Sequence, residues 1–219
     1  MKEFLEKILA GIPKYVSDFI NVLSAPIKFV RKYNRGDEPS LSEPFIFLAI
    51  SLVVTLVTRI PMLRKDVDVT TFIAVDGLWK LLIVLIVAGS MKLAWRVVKG
   101  KANFLNLLVT NCYYFGVFSV LTHLLLLSGS YFNSGDRVIY AIYSGKALGL
   151  FSILQIGIYL IGFGFLTIWC LICWKAYHEL NGVSKLQSLT AFVLTIVFSI
   201  FPLMFVATIR EMLTDPFYS

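Results

Sequence analysis

From Pro44 to Ile209 the chain alternates long apolar runs with short polar gaps, and the runs have the length of a lipid bilayer. A membrane helix needs roughly 20 largely apolar residues to cross about 30 Å of hydrocarbon. Five segments meet that requirement: 44–63, 72–98, 104–127, 148–174 and 186–209. The first carries no charge between Pro44 and Thr58, so Arg59 must reach the far headgroups on its apolar stem. In the second, the uncharged centre from Leu81 to Met91 is too short alone, which places Lys80 and Lys92 near opposite interfaces. Trp79 and Trp95 lie about 24 Å apart at a rise of roughly 1.5 Å per residue, and are expected in the two aromatic belts. The third run is uncharged throughout, and Pro202 near the far end of the fifth predicts a kink.

Residues 1–43 follow a different rule. Phe4, Leu5, Ile8, Leu9 and Ile12 recur at helical spacing, with Lys2, Glu3, Glu6 and Lys7 on the other face. The stripe resumes as Val16, Phe19, Ile20, Leu23, Ile27 and Val30, with Pro13 expected to break or restart the helix. Such a pattern predicts an amphipathic helix over 1–33 that lies in the headgroup plane or docks on another protein. It turns basic at Lys28, Arg31, Lys32 and Arg35, which are the candidate contacts with anionic headgroups or a partner. Met1 to Gly11 has no continuous apolar core and does not read as a cleavable signal. The predicted fold class is all-α: a polytopic bundle of five transmembrane helices (44–219) entered through an N-terminal interfacial amphipathic helix (1–43).

Composition agrees with that pattern. The chain has 219 residues, 58% of them hydrophobic, with mean hydropathy +0.81 and 15% charged residues. Soluble domains carry about 25% charged residues, so lipid must cover much of this apolar surface. The net charge of +7 is placed beside the spans rather than on one soluble face, which reads as membrane orientation and argues against nucleic acid as a partner. Thirteen basic residues fall in the N-terminal segment and in the gaps after the second and fourth spans, and at most seven on the other side. That asymmetry predicts a cytoplasmic N-terminus and a C-terminus outside the cell or in a lumen.

Chemistry is sparse. Cys170 and Cys173 have the spacing of a metal or redox pair but lack a second ligand pair and the strand-to-helix context, and Cys112 stands alone. No phosphate-binding loop, nucleophile elbow, zinc-protease motif or paired catalytic carboxylates occur. No enzyme activity, cofactor or metal is therefore expected. The candidate polar cavity is built from Asn103, Asn106, Thr110, Asn111 and His123 of the third span and Gln155 of the fourth. The competing reading is that these residues hydrogen-bond to neighbouring helices and simply hold the bundle together. His123 has no embedded acid to partner it, so a proton path is not expected; separately, Asp76 and Lys80 read as an interfacial i,i+4 ion pair, with a buried functional pair as the alternative. Gly145 and Gly149 predict close helix packing, within the bundle or between copies.

Three stretches carry a resemblance: Leu23-Ser24-Ala25-Pro26-Ile27-Lys28-Phe29 with Glu43-Pro44-Phe45; Gly100-Lys101-Ala102-Asn103-Phe104 with Tyr113-Tyr114; and Ile168-Trp169 through Trp174-Lys175-Ala176 to Gly182-Val183-Ser184-Lys185. In this order, over residues 21–210, they resemble the Yip (Ypt/Rab-interacting) integral membrane proteins of the short prokaryotic type. The resemblance implies five membrane helices and a cytoplasmic N-terminus. Eukaryotic members act in vesicle trafficking with Rab GTPases, and prokaryotic ones are described as permease-like. The chain lacks the Asp-Leu-Tyr-Gly-Pro motif and the long soluble N-terminal region of the eukaryotic type. Two functions are thus expected: a non-enzymatic membrane scaffold that recruits partners, or a small-molecule or lipid transporter.

Overall fold

The computed structural model describes residues 2–34, 40–59, 68–131 and 150–218, with side chains described from residue 11 on except 129–131, 150–152, 155 and 210–218. Every regular element among them is helical: α1 (Lys2–Ser24), α2 (Pro26–Tyr33), α3 (Ser42–Val57), α4 (Val69–Val97), α5 (Phe104–Tyr131), α6 (Leu150–Asn181) and α7 (Lys185–Tyr218). Four stretches are long and apolar enough to cross a membrane: Val69–Val97, Phe104–Ser128, Ile156–Asn181 and Lys185–Ile209. The expected first span is shorter than 44–63 predicts. With 16 residues, α3 is about 24 Å long, less than the hydrocarbon thickness. The fold is therefore a multi-pass helical membrane bundle with four full-length spans and one shorter apolar helix. Arg35, Gly145 and Gly149 lie outside the described residues.

Local chemistry sets where the helices end. Asp68 caps α4 by accepting hydrogen bonds from the backbone N–H groups of Thr70 (3.1 Å) and Thr71 (3.2 Å). At its other end the N–H of Gly100 reaches the carbonyl of Trp95 (2.7 Å) and that of Lys99 reaches Arg96 (3.1 Å), the paired bonds of a Schellman close. The left-handed position of that motif is occupied by Lys99, with φ 62°, and not by the adjacent glycine. Asn103 caps α5 through the N–H of Asn106 (2.7 Å). Gly182, at φ +60°, ends α6, and Ser184 and Gln187 form a reciprocal capping box that starts α7.

Pro13 does not interrupt α1, which runs unbroken to Ser24. The break falls at Ala25, which leaves the helical region because a proline follows it, and Pro26 takes the first turn of α2, where its missing N–H costs nothing. Tertiary contact carries α1 across Pro13: Tyr15 packs on Phe47 of α3 with ring centroids 4.9 Å apart.

The N-terminal segment is only partly interfacial. Val22, Pro26, Phe29 and Val30 are buried against the bundle, while Ile12, Val16 and Ile20 stay exposed on another face. Tyr114 Oη donates to the Pro26 carbonyl (3.2 Å) and Trp169 Nε1 to that of Leu23 (3.2 Å). Tyr114 lies about 15 Å along α5 from its start. The α1–α2 bend is therefore wedged into the bundle about a third of the way along α5, where its Leu23 and Pro26 carbonyls accept from side chains of α6 and α5. Phe29, Tyr33 and Phe47 close around Tyr113, at centroid distances of 4.7, 5.1 and 4.9 Å.

α7 lies along α4, and its buried stripe, Ser188, Ala191, Thr195 and Ser199, consists of small residues at helical spacing. Small side chains let two backbones approach where lipid supplies no hydrophobic drive. α6 packs instead on α2 and α5. Past the turn at 182–184, α6 and α7 part, leaving a cleft between them.

Candidate functional site

Two turns meet at one end of the bundle. The side chain of Asn181 is fully buried, accepts a hydrogen bond from the Ala102 N–H (3.1 Å) and donates to the Tyr177 carbonyl (2.8 Å). Lys92 Nζ donates to the Ala102 carbonyl (2.7 Å), and Gln187 Nε2 to that of Val98 (3.3 Å). Trp95, expected in an aromatic belt, is buried and stacks on Trp174 at 5.3 Å, because these interlocked turns draw both rings inward.

The asparagine face of α5 is mostly spent on such internal bonds. Thr110 donates to the Asn106 carbonyl (2.7 Å) and accepts from Asn34 Nδ2 (3.3 Å). Asn111 accepts a short hydrogen bond from Tyr177 Oη. Asn103 thus caps α5 and Thr110 fastens Asn34 at the end of α2, the Asn106 Oδ1 is buried without a hydrogen-bond partner among the described residues, and Asn111 reaches a small cavity of about 290 Å³ with Met91, Trp169 and Thr195. The side chain of Gln155 is outside the described residues. His123 lies far along α5, in a different setting.

That setting is a charged cluster at the opposite end of the bundle. Asp76 is 2% exposed and accepts from Arg59 Nη1 (3.2 Å to each oxygen) and Lys80 Nζ (2.9 Å). Lys80 also donates to Thr55 Oγ1 (2.9 Å), and the Arg59 guanidinium lies 5.6 Å from the centre of the Phe72 ring. Asp76 and Lys80 thus form the expected i,i+4 ion pair, buried against α3. α3 brings Arg59 across 17 residues onto the carboxylate, while His123 Nε2 has no hydrogen-bond partner among the described residues.

Arg59 and Lys80 wall a cavity of about 500 Å³ together with Thr55, Ser119, Thr122 and His123, its remaining wall being Phe115, Phe118, Leu126 and Leu127. A second, larger cavity of about 670 Å³ fills the cleft between α5, α6 and α7; its walls are almost wholly apolar, with Lys185 at its mouth. Phe118 and Thr122, one turn apart on α5, line both. Phe118 and Thr122 thus form a wall common to the charged cavity and the apolar cleft. Of the candidate polar-cavity residues whose side chains are described, His123 lines the charged cavity; Arg59 and Lys80 were marked in the sequence as span-end charges and Cys170 as a lone thiol, and the i,i+4 spacing of Asp76 and Lys80 was the available signal.

The basic N-terminal contacts divide. Arg31 bonds Glu179 (2.5 and 2.9 Å), while Lys28 and Lys32 remain exposed. Beside them Lys14 pairs with Glu43, and burial pushes the Asp18 carboxyl above the usual range, offset in part by Lys14. Cys112 and Cys173 are buried free thiols and Cys170 an exposed one that lines the apolar cleft.

A helical, multi-pass membrane protein with a charged cavity beside an apolar cleft is the class this fold defines. No protein-family model, no curated protein and no solved structure matches the chain.

Proposed function

We propose that the chain is a non-enzymatic, permease-like membrane protein that admits an amphipathic lipid sideways from the bilayer and lets it pass along the α5 groove. The observation that carries this reading is the sharing of Phe118 and Thr122 by the apolar cleft and the charged cavity. An amphiphile needs apolar walls for its chains and a polar station at each membrane face, and the groove supplies them in that order. The cleft opens where α6 exposes Phe163 and Leu171, so its occupant comes from lipid rather than water. The proposed orientation is N-terminus cytoplasmic and C-terminus outside, following the placement of Lys and Arg, and the resemblance to the short prokaryotic Yip type supports a prokaryotic plasma membrane. A reporter fused after Ser219 that worked only in the cytoplasm would reverse it.

The test is translocation of a headgroup-labelled phospholipid in vesicles reconstituted with purified protein. Thr122→Trp fills the space at that shared wall without touching the ion pairs and should slow translocation about tenfold or more, a barrier increase of about 1.4 kcal/mol. Folded protein that moves no lipid, or a Thr122→Trp variant as fast as the parent, rejects the reading. A Yip-type scaffold is the second reading, supported by exposed Lys28 and Lys32 beside the exposed Ile12, Val16 and Ile20 face of α1. It requires that K28E/K32E abolish binding to anionic vesicles while translocation is absent from the parent.

A further inference from the structure

We infer that the cleft between α5, α6 and α7 holds one acyl chain of an anionic phospholipid from the leaflet at the 182–184 turn, with the lipid phosphate beside Lys185. This deepens the lipid reading and rests on it only for an occupant that comes from the bilayer. The cleft is apolar and encloses about 670 Å³, within the usual size of a ligand site. Its walls are bulky: Phe163, Leu166 and Leu171 of α6 face Leu189 and Phe192 of α7. The buried small-residue stripe of α7 is spent on α4, and side chains of this bulk hold α6 and α7 apart. An unfilled gap of this size forfeits packing on every wall, and in a bilayer the material at hand to fill it is an acyl chain.

Depth selects one leaflet. Trp174 at the mouth and Phe163 at the inner end lie about 16 Å apart along α6 at a rise of roughly 1.5 Å per residue. Half of the hydrocarbon core is about 15 Å, so the cleft matches a single chain from one side. Its mouth is built in advance. The Trp174 ring stacks on Trp95 at 5.3 Å, meets the edge of Phe192 at 5.0 Å, and donates from Nε1 to Ser188 Oγ (3.1 Å). Charge selects the headgroup. Lys185 lines the mouth, is exposed, and makes no ion pair among the described residues. It is the first residue of α7, where a cation opposes the helix dipole, so helix stability does not account for it. Arg96, Lys99, Lys101 and Lys175 are exposed at the same end, while Glu179 near the end of α6 is already bonded by Arg31. A phosphodiester beside Lys185 meets attraction from all of these, whereas a choline headgroup brings a further cation to the same place.

The experiment reconstitutes the full chain in phosphatidylcholine vesicles in which a minor fraction of the lipid is phosphatidylglycerol or phosphatidylcholine with brominated acyl chains, which quench tryptophan on contact. The Trp174 signal is the part lost in Trp174→Phe. At equal fraction, brominated phosphatidylglycerol should quench it more than brominated phosphatidylcholine. Lys185→Gln should lower that preference about fivefold, the scale of one basic residue at an anionic surface. Lys175→Gln, exposed at the same end but outside the cleft, should leave most of it. Thr167→Phe/Cys170→Phe narrows the cleft from an exposed wall of α6 and should remove the preference. Should Trp174→Phe fail to fold, maleimide labelling of Cys170, the exposed thiol of the cleft, replaces that readout: phosphatidylglycerol should slow it and phosphatidylcholine should not. Equal effects of the two lipids, equal losses from Lys185→Gln and Lys175→Gln, or a preference that survives Thr167→Phe/Cys170→Phe overturns the site. Selective binding without translocation refutes the transport reading alone; translocation without selective binding refutes this site alone.

Discussion

Gly100 should be intolerant of the smallest possible addition. It occupies the position after the left-handed residue of the Schellman close, so its backbone makes no demand for glycine; space does. A Cβ built there would stand 3.0 Å from Cγ of Asn181 and closer still to its Oδ1, with the Trp95 carbonyl at 3.1 Å on another side. Ordinary contacts begin near 3.4 Å. Asn181 cannot swing away without releasing the Ala102 N–H and the Tyr177 carbonyl, both buried. Overpacking costs about 1–3 kcal/mol, and the broken Asn181–Ala102 bond about 1 kcal/mol more. Gly100→Ala should therefore destabilise by roughly 2–4 kcal/mol, a fall in unfolding midpoint on the order of 5–15 °C for a chain of this size. The assay is thermal unfolding in detergent, followed by circular dichroism and repeated in the Asn181→Ala background. There the obstructing side chain is gone, and Gly100→Ala should cost less than about 1 kcal/mol. Gly89→Ala, where a methyl meets nothing within 4 Å, is the matched control and should be neutral or slightly stabilising. Equal costs for Gly100→Ala in the two backgrounds would refute the steric account.

Other consequences follow from the same contacts. Lys99→Gly should stabilise by about 1 kcal/mol, because Lys99 holds φ 62° at a position that glycine occupies without strain; an unchanged midpoint would mean the side chain compensates. Asp76→Ala should cost about 3–5 kcal/mol by leaving buried cations without their shared carboxylate, and a stable variant would show the cluster to be solvated. Arg31→Ala should change stability by less than about 1 kcal/mol, since the arginine of its pair with Glu179 is mostly exposed. Asp18 gives a pH signature. Its carboxyl is raised above the ordinary value of 3.8 by burial, so its contribution to docking α1 is full below that value and is lost as pH rises through the folded one. Asp18→Asn should therefore protect α1 from proteolysis relative to the parent at neutral pH, with the difference closing in acid; a difference independent of pH would assign the effect elsewhere.

Much of the architecture is written in local pattern. Apolar runs of bilayer length, broken by charged gaps, specify membrane helices because lipid cannot satisfy a free backbone, and four such helices form where the runs predict them. Ser184 and Gln187, Asn103 and Asp68 end or begin helices through their own neighbours, so those boundaries depend on a few adjacent residues. Thr110 could be recognised as polar, but not as bonded to Asn34 at the end of α2, since Asn34 lies 76 positions away.

The sequence alone determined the solvent, the helical class and the segments that cross or approach the membrane, because hydropathy and helix periodicity are properties of neighbouring residues. Tertiary structure alone decided what the polar residues do. It buried Asp76 and set Arg59 beside it, drew Trp95 out of the expected belt onto Trp174, and divided the amphipathic segment between bundle and lipid. It also parted α6 from α7 to leave a groove. Each of those outcomes depends on which helix packs against which, and that choice is made by shape and by buried hydrogen bonds between residues far apart in the chain.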